Sequence, residues 1–534
     1  MNNKFCCLDP VPSWVLTECF DELGPILIQI INKSLTTGVF PTQIKTSVVK
    51  PTVKDQKRDL DELSNYRPVS NIPFLSKIIE KVVLFQLDEY LSKNNLYCTQ
   101  QSGYRKYHSC ETLNIKMFDE ILKDVDSGNI VALVLLDMSA AFDTVDHTLL
   151  LDLLKKCYGI TGKVLHWFST YLKDRRFSVN VYNTFSEYVN AIFGVPQGSI
   201  LGPILFILYT KHLQHIAFKH GLNIQLYADD TQLYIGFKHI NQNLYSTKIS
   251  DCLYDIKKWL CNQFLKLNEQ KTKLVLVSKP SVHNLLSYND SMVISMLNTG
   301  SNIGEVDWDS ESDIISLGIR LDPNLDMNKH VSYVRKYCIG TLKSWKRITT
   351  FLSEDVRLLL VKQILLPKID YNNALLAGLP NYVIQDLQYL INCALRFIYN
   401  VGYREHITPY IIKSHILPVP VQYRIEYKIC LIVFNCLHNV APSYLQDLLT
   451  WNQPTRTNIH YSDIPRKTQD PYLLVIPVDF GNKTRYRWRT FSHYAPKCWN
   501  KLSYDIRSCN NKSSFKTKLK THFFNLFLLS KVSD

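Results

Sequence analysis

A chain of 534 residues has room for several well-buried cores. With 46% hydrophobic and 20% charged residues, wholesale disorder is excluded. The net charge of +14 favours a polyanionic partner.

Met1 to Asp9 lacks the cationic and apolar regions of a secretory leader. Fourteen cysteines without a C-x-x-C pair argue against a disulfide framework and for reduced thiols inside the cell. No window approaches the ~18 consecutive apolar residues of a membrane span, so no membrane partner is expected. To about Thr46 the chain reads as helical, because Ile26, Leu27, Ile30, Ile31 and Leu35 recur at helical spacing before Gly38 and Pro41. From Ser47 to about Phe237, β-rich runs alternate with helical ones. Val131 to Leu136 is an unbroken apolar run ending in Asp137, the pattern of a buried strand that delivers a carboxylate at its end. Ile224 to Ile235 suits two short strands around an acidic tip. The spacing predicts a helix over Asp251 to Asn268 and a strand over Leu274 to Val277. Beyond about Lys329 the pattern is helical, as in Arg357 to Leu366, Ile384 to Tyr399 and Tyr423 to Leu437. From Gly481 to Asp534 there are twelve Lys or Arg against two Asp, interleaved with Tyr486, Trp488, Phe491 and Trp499. Such a mixture suits phosphate contacts and base stacking, with Arg485, Arg487 and Arg489 as the candidate grip; a solvated helical face is the plain alternative.

Three segments carry the chemistry: Leu135-Leu136-Asp137-Met138-Ser139-Ala140-Ala141-Phe142-Asp143, Gly194-Val195-Pro196-Gln197-Gly198-Ser199 and Tyr227-Ala228-Asp229-Asp230. Each alone is common. A strand-end Asp, a Gly-rich bend opening a helix and a Tyr-x-Asp-Asp hairpin, in that order, are much more specific. In-line phosphoryl transfer asks little covalent work of a protein and mostly needs positioned charge. Hard divalent cations want carboxylate oxygens, and Asp137, Asp229 and the adjacent Asp230 supply them.

These segments resemble motifs A, B and C of the reverse transcriptases of non-LTR (LINE-type), jockey-like retrotransposons. The likeness extends to Tyr66-Arg67-Pro68-Val69-Ser70 with Lys77-Ile78-Ile79-Glu80-Lys81, and to Gln101-Ser102-Gly103-Tyr104-Arg105-Lys106, which resemble two fingers motifs. Leu267-Asn268 with Lys271-Thr272-Lys273 resembles motif D, and Leu317-Gly318-Ile319 with Leu321-Asp322 and His330 resembles the primer grip. Asp370-Tyr371-Asn373 with Gly378-Leu379-Pro380 is similar to the thumb segment that follows. Ala495-Pro496, Trp499-Asn500 and Ser514-Phe515-Lys516 are similar to the family's C-terminus.

The resemblance implies an α+β right-hand polymerase with fingers, a palm carrying an antiparallel sheet and a helical thumb, followed by a mainly helical basic region. The implied divisions are a helical extension over 1–46, fingers and palm over 47–325, a thumb-like domain over 326–450 and a nucleic-acid-binding region over 451–534. By the same resemblance Asp137 and Asp229 would bind two Mg²⁺ ions, Mn²⁺ being the alternative metal, with Asp230 in support. Phe142 would exclude a ribose 2′-hydroxyl, although packing in the core is the commoner fate of a Phe. Gln197 and Gly198 would lie against the nascent base pair. Arg105, with Arg67 and Lys54 as further candidates, would contact the dNTP triphosphate. Lys271 would meet departing pyrophosphate, or else is a surface Lys beside a turn. Asp143 and Asp146 also lie near the site, Asp143 as an anchor rather than a ligand. The run Val49 to Asp55 departs from the Lys-Lys-Gly-Asp pattern of relatives, which leaves the role of Lys54 open.

The implied activity is RNA-directed DNA synthesis with template RNA, a primer or target DNA and dNTPs. It would take place in the nucleus after cytoplasmic synthesis and RNA assembly, with an endonuclease supplied by another domain or protein. A catalytically inactive, co-opted RNA-binding relative and an RNA-templated RNA polymerase are the competing readings. The intact carboxylates argue against the first, and Phe142 against the second. Asp307, Asp309, Glu311 and Asp313 alternate like a calcium loop but lack its sharp-turn Gly and terminal Glu. Cys430, Cys436 and His438, with His406, could be imagined as a zinc site, but Cys430 and Cys436 sit in an apolar helical run.

Overall fold

The computed structural model describes residues 6–9, 11–54, 59–139, 141–281, 314–414, 421–451, 472–477 and 486–532. The calcium-like run from Asp307 to Asp313 and Arg485 lie outside them. In chain order the strands are β1 (Thr46–Val53), β2 (Tyr66–Asn71), β3 (Ile130–Leu136), β4 (Met138–Ser139), β5 (Arg175–Val181), β6 (Thr184–Phe185) and β7 (Val189–Ala191). They continue as β8 (Asn223–Tyr227), β9 (Asp230–Phe237), β10 (Lys266–Leu267), β11 (Lys273–Val277), β12 (Ile314–Ser316) and β13 (Ile319–Leu321).

The predicted buried strand is β3, at the middle of a sheet ordered β11-β3-β9-β8 in which every pair is antiparallel. Successive side chains of a strand point to opposite faces. Ile130, Ala132, Val134 and Leu136 therefore enter one core while Val131 and Leu133 enter another. Burial on both sides explains why the sequence shows a continuous apolar run rather than alternation. The first core takes in helices Phe74–Lys93, His147–Lys156, Gly162–Leu172, Gly202–Tyr209, Leu213–Lys219 and Gln242–Asn262. The second takes in helix Cys110–Asp126 and the helices that follow Asn328. It runs without a break as far as Phe527 and includes Tyr486, Phe491, Trp499 and Phe515.

A second sheet, β2-β1-β5 with β6 and β7 on β5, combines an antiparallel β1–β2 pair with a parallel β1–β5 pair. Pro51 and Pro68 face one another across β1 and β2. Neither has an N–H to donate. The β1–β5 pairing stops at Val49, so Pro51 lies where β1 is an edge, and β2 is an edge throughout.

Three boundaries differ from the sequence expectation. The N-terminal helices, Ser13–Glu18 and Phe20–Thr37, stop at Gly38, whose φ of 72° is left-handed, and β1 has begun by Thr46. Helix Gln242–Asn262 begins earlier and ends sooner than 251–268, because Phe264 turns left-handed (φ 53°) and β10 pairs with β4. The helix expected over 357–366 is Glu354–Leu360 followed by a π-helical stretch, Val361–Leu365, and then by helix Leu366–Asp370 with Pro367 in its first turn. All fourteen cysteines are free thiols, and Cys430 and Cys436 are buried in helix Val421–Leu437. Among the described residues no helix is long and apolar enough to cross a membrane.

Candidate active site

β8 and β9 form a hairpin in which Tyr227 pairs with Asp230, leaving Ala228 and Asp229 as its two-residue turn. Ala228 takes a φ of 57°, a left-handed conformation that costs a residue with a Cβ ~1–2 kcal/mol. Asp229 thus stands at the tip. Across β9, the register pairs Leu136 with Thr231, so Asp137 emerges from β3 beside the same end of the hairpin. The Asp137 backbone is held there by the Asn268 N–H, which donates to its carbonyl at 2.8 Å.

Three carboxylates crowd this corner. Burial of its carboxyl, reinforced by the charge of Asp137, raises the pKa of Asp229. Asp230 is exposed as a whole residue, yet protein around its carboxyl and the charges of Asp229 and Asp137 push it up to about 6. The cations are fewer. Lys271 Nζ lies 3.2 Å from Asp137 Oδ2, and Arg67 and Lys271 partly offset the burial of Asp229. The arrangement holds more negative charge than nearby side chains neutralise, as a cation site should.

The Gly-rich bend docks beside it. The Ser70 N–H donates to the Gln197 carbonyl at 2.7 Å, and a Cβ on Gly198 (φ 129°) would meet the Ser70 carbonyl at 2.3 Å. Only glycine lets the backbone lie so close. Gln197 Nε2 approaches Asp143 Oδ2 at 3.4 Å, while burial pushes Asp143 up to about 6 against the pull of Lys54. Asp146 caps helix His147–Lys156 by accepting from the Leu149 N–H at 2.8 Å. Phe142 is half-buried, its ring centroid 4.7 Å from that of Phe206. The start of helix Gly202–Tyr209 is fixed by Glu80, fully buried, whose Oε2 accepts from the Ile200 and Leu201 N–H groups at 2.7 and 3.1 Å.

Two of the predicted contact residues are engaged by protein groups. Arg105 is half-buried over the Tyr97 ring, and its Nη1 donates to the carbonyls of Cys98 (2.9 Å) and Gln101 (3.1 Å). Its Nη1 braces a loop, while Arg67 is exposed and in electrostatic reach of Asp229. Arg489 is buried at 5% exposure and donates to the Leu325 carbonyl. The interleaved aromatics follow suit: Tyr486, Phe491 and Trp499 are buried, and Trp488 is exposed with Lys497 5.2 Å from its ring centre. Arg487 is exposed next to them. Glu80 and Gln101 had appeared only within resembling segments; that each bonds a distant backbone could not be read from spacing.

A family model described as reverse transcriptase (RNA-dependent DNA polymerase) matches residues 53–319, half of the chain. The chain belongs to the reverse transcriptase family. All three segments with the paired carboxylates fall inside the matched range. This reverse transcriptase chain is 28% identical over 322 residues to a probable RNA-directed DNA polymerase from transposon BS of Drosophila melanogaster, covering 58% of the chain and 33% of the relative. Against the corresponding protein of the X-element of the same fly it is 24% identical, covering 64% of the chain and 36% of the relative. With the RNA-directed DNA polymerase from the mobile element jockey the figures are 27% identity, 47% and 27%. The chain spans about a third of the length of the curated relatives it matches.

Proposed function

We propose that this protein is the RNA-directed DNA polymerase of a non-LTR retrotransposon, extending a DNA primer 3′ end on an RNA template. The observation that carries the reading is the β3–β9 register, which sets Asp137 beside the Asp229 turn in a corner with excess negative charge. In this reading the sheet β11-β3-β9-β8 is the palm and the sheet β2-β1-β5 belongs to the fingers. The helices after Asn328 are the thumb, and the region beyond 450 contributes to nucleic-acid binding.

The donor set fits Mg²⁺. Among the described residues no three His, Cys, Asp or Glu side chains close into a ligand cage. Mg²⁺ accepts such a sparse set, because it keeps water and substrate phosphate in most of its positions. Asp137 and Asp229 would hold two such ions, with Asp230 in support, and Mn²⁺ could replace them. Bound metal would activate the primer hydroxyl and stabilise the leaving pyrophosphate. The chain's own groups do the rest. Lys271, 3.2 Å from Asp137 Oδ2, would be placed to meet departing pyrophosphate. Phe142 rests on Phe206 and closes the space that a ribose 2′-hydroxyl would need. Gln197, braced by Asp143, and Gly198 lie against the nascent base pair. We place this work in the nucleus, after cytoplasmic synthesis and RNA assembly, with an endonuclease acting as a separate domain or protein.

The test is primer extension on an RNA template with Mg²⁺ and dNTPs, comparing wild type with Asp229→Ala. Extension by wild type and none by the variant is the expected result. Equal extension by both would overturn the assignment of the site.

A further inference from the structure

The left-handed turn that presents Asp229 does not hold itself. Gln101, 1% exposed, reaches it from a separate loop. Its Oε1 accepts from the Ala228 N–H at 3.1 Å and from the Gly103 N–H at 2.7 Å, while its Nε2 donates to the Ala228 carbonyl at 3.3 Å. One side-chain amide therefore satisfies both backbone groups of the strained residue. The loop lies flat on the hairpin: the Leu226 N–H donates to the Gln100 carbonyl at 2.9 Å and the Ser102 N–H to the Leu226 carbonyl at 2.8 Å. Gly103 is obligatory there, because a Cβ would meet the Ala228 nitrogen at 2.3 Å. The loop is itself anchored. The Ser102 hydroxyl lies 3.0 Å from that of Tyr444, which donates to Thr112 Oγ1 at 3.1 Å.

We infer that Gln101 is a positioning residue of the catalytic turn, holding Ala228 left-handed so that Asp229 faces Asp137 before substrate arrives. It touches neither substrate nor reacting atoms. Its effect passes through the Ala228 backbone, since a two-residue turn that relaxes at one position swings the side chain at the other. The inference rests on the polymerase reading for its kinetic consequence, but its structural half does not.

The full-length protein is compared with Gln101→Met, which keeps length and burial but makes none of the three bonds, and with Gln101→Glu, which keeps both accepted bonds and loses the donated one. Metal-free hydrogen exchange is followed in a peptide spanning 226–230. Single-nucleotide extension with Mg²⁺ then separates the maximal rate from primer–template affinity. In Gln101→Met the 226–230 amides should exchange about tenfold faster. Its maximal rate should fall roughly 10- to 100-fold, with primer–template Kd within about twofold of wild type. Gln101→Glu should lie between the two, and it carries the test if the Met variant fails to fold. Unchanged exchange at 226–230 in the folded variants, or a Kd that weakens in step with the rate, would overturn the proposal. Failure of wild type to extend would refute the polymerase reading instead, and the exchange arm would still decide the role of Gln101.

Discussion

Glu80 offers the sharpest prediction about what holds the site in place. Its carboxylate is fully buried and receives two backbone N–H groups at the entry to helix Gly202–Tyr209, plus the Ser76 hydroxyl at 3.0 Å. Replacing it with Ala takes the acceptor from both donors. A hydrogen bond to a charged group contributes ~1.5–3 kcal/mol, so two of them set the loss near ~4 kcal/mol. With an m-value of ~2 kcal/mol per molar urea, the unfolding midpoint of this core should fall by about 2 M. Trp167, buried in the same core, makes intrinsic fluorescence a direct reporter. Glu80→Gln, which keeps one carbonyl acceptor but turns an NH₂ towards the donors, should lose roughly half as much. Because the bend Pro196 to Ser199 precedes this helix, both variants should also raise the KM for dNTP. A Glu80→Ala midpoint within about 0.3 M of wild type would refute the reasoning, since it would mean that the two N–H groups find other partners at no cost.

Asp230 gives a pH signature. Its folded pKa of about 6 stands above the ordinary 3.8, so the fold binds this proton more tightly than the unfolded chain does, and the group costs stability above about 6. In metal-free protein Asp230→Asn should therefore raise thermal stability at neutral pH, the difference closing below about pH 4, and a variant less stable than wild type at neutral pH would contradict this. Phe142→Ala should raise ribonucleotide incorporation by roughly 10- to 100-fold relative to deoxynucleotides, measured by single-nucleotide extension; unchanged discrimination would return Phe142 to the core. Arg487→Ala should reduce the slope of log K against log salt for RNA binding by ~0.7, whereas Arg489→Ala should leave the slope alone and lower the thermal midpoint. Equal slopes for wild type and Arg487→Ala would remove the tail from the nucleic-acid interface.

The fold was most legible where burial imposes a period. The run Val131 to Leu136 is the consequence of a strand covered by apolar cores on both faces, whereas β8 and β9 alternate because their second face buries the polar pair Gln225 and Gln232. Long-range backbone contacts were illegible. Nothing in the spacing around Glu80 or Gln101 says that each side chain bonds a segment more than a hundred residues away. The surroundings of the arginines were illegible for a related reason. Arg105 and Arg489 are as basic in sequence as Arg67 and Arg487, but a long side chain with five donors is as well suited to buttressing carbonyls as to meeting phosphate. Composition records the charge and not the direction in which it points.

The second core has a practical consequence for anyone trimming the chain. The family match ends at residue 319, yet Val131, Leu133, Val275 and Val277 on the rear of the sheet belong to one continuous core that reaches helices as distant as Lys512–Val532. A fragment cut at the family boundary would bare the side of helix Cys110–Asp126 that packs on the later helices as a broad greasy surface, and it should emerge from expression as sticky aggregates rather than as a minimal enzyme. The smallest preparable unit is set by where that shared core ends, some two hundred residues beyond the end of the match.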